Sequence, residues 1–146
     1  MPLRTRAIWP VVVLLAAQLT TPSCQWAGDT KAAKVSYVVL KRQVDDVNSR
    51  INSAVQNGES DRIPGLDREL NSTLDAAMNQ ASAMNLLDRE HLSISVATAR
   101  RCVTDMDRYA QSGDMDLLRA QVQQLEPTIA EIQELFDRAE RTTTAN

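Results

Sequence analysis

The chain has 146 residues, 24% of them charged and 3% aromatic, with 16 basic residues against 19 acidic and a net charge of −3. That length bounds it to one domain. The acidic balance excludes the clustered Lys and Arg that nucleic acid requires to displace its counterions, and so few aromatics leave little for stacking on bases.

The first 23 residues have the pattern of an export signal. Arg4 and Arg6 give a positive start, residues 7–19 form an apolar run broken by Pro10, and the small and polar residues 20–23 lead to Cys24. A run that short falls below the roughly 20 residues of a bilayer span, so cleavage is expected rather than retention as an anchor helix. Residues 1–23 hold Arg4 and Arg6 and no acid. Without them the 16 basic and 19 acidic residues become 14 and 19, a net charge of −5. That balance gives no general attraction to anionic headgroups.

Two fates are open to Cys24. Exported thiols meet oxidising conditions, which allows a disulfide between Cys24 and Cys102. Alternatively, Thr21-Pro22-Ser23-Cys24 resembles the lipobox of bacterial lipoproteins, usually Leu-Ala-Gly-Cys. Ser23 supplies the small residue before the cysteine, and Thr21 and Pro22 depart from the usual pair. The resemblance implies that Cys24 carries lipid, and Gln25 in place of Asp implies an outer-membrane address.

After a connector over residues 24–30, four segments place apolar residues at three-four spacing, the mark of amphipathic helices. The first, over about 31–56, has the stripe Tyr37, Leu40, Val44, Val47, Ile51 and Ala54, and Asn57-Gly58 stops it. The second starts near Ser60 or Asp61, with Pro64 tolerated in a first turn whose N–H groups lack helical partners. Its stripe is Ile63, Leu66, Leu70, Leu74, Ala77, Ala81 and Met84. Asn85-Leu86-Leu87-Asp88 reads as a capped turn in which Leu86 and Leu87 plug the end of the core.

The third helix, over about 88–111, turns Leu92, Val96, Ala99, Val103, Met106 and Ala110 inward, and Ser112-Gly113-Asp114 ends it. The fourth, over about 115–141, has Leu118, Val122, Leu125, Ile129, Ile132, Phe136 and Ala139. Pro127 falls on its outermost face, where a bend wraps the helix around a core. Residues 142–146 read as a frayed, disordered tail. Short connections favour antiparallel neighbours. The predicted fold is therefore all-α: an antiparallel up-down-up-down four-helix bundle over residues 31–141, after the signal segment.

Residues 31–141 resemble cytochrome b562, a periplasmic four-helix haem carrier, in length, helix order and loop placement. That family ligates haem with a Met on the first helix and a His on the last. Here the first helix has no Met, the fourth has no His, and Cys-x-x-Cys-His is absent. The resemblance therefore implies an architecture without haem.

His91 is the only histidine and falls on the outward side of the third helix, whereas metal sites need several converging ligands. Of Met78, Met84, Met106 and Met115, Met84 and Met106 lie on stripes and read as core filling rather than a copper site. Cys102, beside Arg100 and Arg101, reads as a half-buried structural thiol. The acidic groups Asp45-Asp46, Asp105/Asp107 and Asp114/Asp116 lack calcium-loop spacing and read mostly as solvated faces. The sequon Asn71-Ser72-Thr73 matters only in a eukaryotic host.

No nucleophile–base pair or phosphate loop is present. No enzyme activity, metal or cofactor is expected. The expected function is a non-catalytic binding or adaptor role for a small bacterial cell-envelope protein, lipid-anchored through Cys24 in the periplasm at the outer membrane. Its partner would be another envelope protein or a second copy in a homodimer. The alternative is a periplasmic small-ligand or metal carrier of cytochrome b562-like architecture.

Overall fold

The computed structural model describes residues 36–144, which form four α-helices and two short 3-10 turns, with no strand among the described residues. Helix α1 is Tyr37–Gln56, α2 is Ile63–Gln80, α3 is Leu86–Ser112 and α4 is Met115–Thr144. Each begins and ends where local chemistry dictates. The Ser36 hydroxyl accepts from Val38 N at 3.2 Å and caps α1. Gly58, at φ 74°, turns the chain out of it.

The expected single start of the second helix is instead a 3-10 turn, Ser60–Arg62, followed by α2 with Pro64 in its first turn. A second 3-10 turn, Ala81–Ala83, ends the regular α-helix at Gln80, while Ala81 and Met84 beyond it stay buried. Gly113, at φ 71°, ends α3, and Asp114 Oδ1 then accepts from Leu117 N at 3.1 Å to start α4. Pro127 is exposed, and α4 continues through it. Helix α4 also runs three residues past Arg141, to Thr144, where the Thr143 and Thr144 hydroxyls return to the carbonyls of Ala139 and Glu140. The expected first turn over residues 31–35 lies outside the described residues.

Every residue of the four apolar stripes is buried. The helices pack in a cycle, α1 on α2, α2 on α3, α3 on α4 and α4 on α1, with α3–α4 the most extensive interface and α2–α3 the thinnest. Tyr37 and Phe136 pack with ring centroids 5.8 Å apart, and the Tyr37 hydroxyl donates to Gln80 O at 2.9 Å. At the rim, Lys41 pairs with Asp137 at 2.6 Å, Arg138 with Asp88 at 3.3 Å and Arg50 with Glu69 at 2.9 Å. The buried hydroxyls of Thr73 and Ser95 donate to the carbonyls of Glu69 and His91 one turn back, so neither is left unsatisfied. No helix among the described residues is long and apolar enough to cross a membrane.

Leu86 and Leu87 do not plug the core. They are 59% and 68% exposed. The cause is the cap: Asn85 Oδ1 accepts from Asp88 N at 2.9 Å, so the helix begins at Leu86 rather than at Asp88. At about 100° per residue, Leu86 and Leu87 then point roughly 120° and 140° away from the inward direction of Leu92.

Candidate functional site

The feature of the core that packing alone does not explain is Asp67. It lies on α2 between Ile63 and Leu70, four residues after one and three before the other, so helical geometry turns it inward with them. It is 1% exposed, and neither carboxylate oxygen has a hydrogen-bond acceptor's usual donor. Facing it from α3 is Asp107, next to the fully buried Met106, and Asp107 Oδ1 is likewise buried without a donor. Two ionised carboxylates in this position would leave three orphaned acceptors in a low-dielectric interface.

Protonation resolves the conflict. Burial first, and then the negative charge of Asp107, push the Asp67 pKa up to about 8. Asp67 is then mostly protonated at pH 7, and a protonated Asp67 can donate to the facing Asp107 carboxyl. The Asp67 carboxyl sits in the thinnest helix interface. Chemically it can hold a proton and release it. With Asp67 sealed from solvent, that proton does not reach a dissolved substrate in this arrangement, which general acid–base work would require. The sequence pattern carried the signal for Asp67, an acid at a stripe position, but apolar periodicity alone passes over it. Asp107, expected on a solvated face, is half-buried because it flanks Met106 at the α2 contact.

The other candidates stay apart. His91 is exposed on the second turn of α3. Met84 and Met106 lie in the core, while Met78 and Met115 pack against its edge. Among the described residues no group of three or more His, Cys, Asp or Glu is placed to hold a metal ion. Cys102 is buried, 6% exposed, and has no disulfide partner among the described residues; Cys24 lies outside them. Arg100 is engaged with Asp75 of α2. Of the other acidic groups, Asp46 pairs with Arg50 at 3.2 Å, Asp105 with Arg108 at 2.9 Å and Asp116 with Arg119 at 3.1 Å along their own helices, while Asp45 accepts from Gln133 of α4 and Asp114 caps α4.

Between α1 and α2 an open groove of about 700 Å³ is floored by Leu40 and Val47 and rimmed by Arg42, Asp46 and Glu69. The two carboxylates of its rim are already engaged, since Asp46 and Glu69 both bind Arg50. No protein-family model matches the sequence, and no curated protein or solved structure matches the chain.

Proposed function

We propose that the chain is an exported bacterial envelope protein, anchored by lipid at Cys24, whose four helices form an antiparallel up-down-up-down bundle with a non-catalytic binding or adaptor role. The observation that carries this reading is the use of the apolar stripes. Each is buried against a neighbouring helix, so apart from the sealed Asp67 the interior is filled almost wholly by apolar side chains. Alternation of helix direction is supported by contacts at the rim: the start of α1 meets the end of α2 through Tyr37 and Gln80, and the start of α3 meets the end of α4 through Asp88 and Arg138. Anchoring is supported by the order of residues 1–24, a positive start, an apolar run and a small residue before Cys24.

Function then resides on the outer faces of the helices, where a partner protein or a second copy binds. Native mass spectrometry of the exported protein, extracted in mild detergent after crosslinking in the envelope, tests this. The expected species is the lipid-bearing chain joined to one protein partner or to itself. A chain that instead retains a stoichiometric metal ion or small molecule would overturn the adaptor reading in favour of a carrier.

A further inference from the structure

Among the described residues six large apolar side chains remain exposed; four belong to the first turns of α1 and α3, Val38, Val39, Leu86 and Leu87, and a fifth, Ile94, lies on the third turn of α3. The sixth, Leu117, begins α4. In the bundle arrangement proposed above, the starts of α1 and α3 share one end. It is also the end from which the chain continues back from Ser36 toward Cys24. Leu87 and Ile94, seven residues apart, lie on one line of the outer face of α3 within about 20° of each other. At 68% and 65% exposed they extend the apolar surface roughly 12 Å down from the rim.

We infer that this end is a lipid-docking surface, which seats the bundle end-on in the headgroup layer of the membrane holding Cys24; the inference rests on the anchored reading. The first argument is reach. Residues 25–35 are eleven in number. Even fully extended they span no more than about 40 Å. A helix of 27 residues is itself about 40 Å long. The near end therefore meets the bilayer at high effective concentration, and the far end does not.

The second argument is charge. At the near end the cations and anions answer each other, Lys41 with Asp137 and Arg138 with Asp88, and the connecting segment adds Lys31 and Lys34. At the far end Glu59 and Asp116 pair with Arg62 and Arg119, while Asp61 and Asp114 add two negative charges that no ion pair among the described residues balances, which anionic headgroups repel. The third argument is the chemistry of the exposed residues. Leu, Ile and Val beside paired charges suit the boundary between headgroups and acyl chains, where a shallow apolar insertion is reinforced by a covalent anchor.

The test places a tryptophan at each end, in the full exported chain with Trp26→Phe so that the new indole reports alone. Leu87→Trp and Leu117→Trp are reconstituted in phosphatidylethanolamine–phosphatidylglycerol vesicles with and without brominated acyl chains. Intact mass is measured first. If Cys24 bears no diacylglyceryl group, the anchored reading fails and the docking inference falls with it. If lipid is present, the indole at 87 is expected to be quenched several-fold more than the indole at 117, with a blue-shifted emission. Equal quenching at both positions on vesicle-bound protein would overturn the docking surface and leave the anchor standing. A blue-shifted indole at 87 that brominated lipid does not quench would also overturn it, because a second copy or a protein partner would then cover the patch.

Discussion

Replacing Asp67 with asparagine removes an ionisation that the α2–α3 interface suppresses, and its effect can be worked out in sign and size. The unfolded chain titrates Asp67 at its ordinary value near 3.8, and the folded chain at about 8. Between those values the folded state holds a proton that the unfolded state has released. Its contribution to stability is therefore complete below pH 4 and is lost as pH rises through 8. One proton of difference corresponds to about 1.4 kcal/mol per pH unit. From pH 5 to pH 7 the loss is about 3 kcal/mol, a large share of the 5–15 kcal/mol typical of a whole domain. The asparagine amide donates to Asp107 as the protonated acid does, yet it has no proton to lose.

Urea unfolding followed by helical circular dichroism at pH 5, 6, 7 and 8 reads this directly. Other carboxylates contribute slopes of their own, so the informative quantity is the difference between parent and variant at each pH. The expected result is that Asp67→Asn gains on the parent by about 3 kcal/mol between pH 5 and pH 7 and is the more stable of the two at pH 8. Parallel curves for the two proteins would show that Asp67 is ionised or solvated in the fold, and the account of a buried, protonated Asp67 would be refuted.

Two further outcomes bear on the packing and the helix boundaries. Phe136→Ala removes a ring that is fully buried against Tyr37 and should cost about 3–5 kcal/mol in the same urea assay; a loss below about 1 kcal/mol would mean that the ring is not enclosed. Asn85→Ala deletes the cap that places Leu86 and Leu87 in the first turn of α3. It should cost about 1 kcal/mol and speed amide exchange at Asp88 and Arg89 before the rest of α3; unchanged exchange there would argue for a different helix start.

The stripes were readable because three-four periodicity and burial are the same fact seen twice: a residue such as Leu40 or Ile132 recurs on one face only if that face is covered. Helix ends were readable where backbone geometry demands a residue type, as at Gly113. They were less so at the second helix, where Ser60–Arg62 forms a tighter turn that leaves apolar spacing unaltered. Leu86 and Leu87 are apolar yet face solvent, because Asn85 decides the phase of α3 and so the direction of both leucines, and composition alone does not carry that phase. Asp67 escaped because an acid at a stripe position reads as an interruption unless its partner is known, and Asp107 is forty residues away. Of the residues that the lipobox resemblance concerns, Cys24 and its neighbours lie outside the described residues, so the anchor rests on sequence alone.

The claim on which the functional account turns is that Cys24 is the point of attachment to a membrane. The intact mass of the mature protein, recovered from the envelope of a bacterial host expressing the full chain, tests it most directly. The account predicts a chain that begins at Cys24 and carries a diacylglyceryl group on its sulfur. A lipid-free chain two hydrogen atoms lighter than its sequence, with Cys24 joined to Cys102, would contradict it.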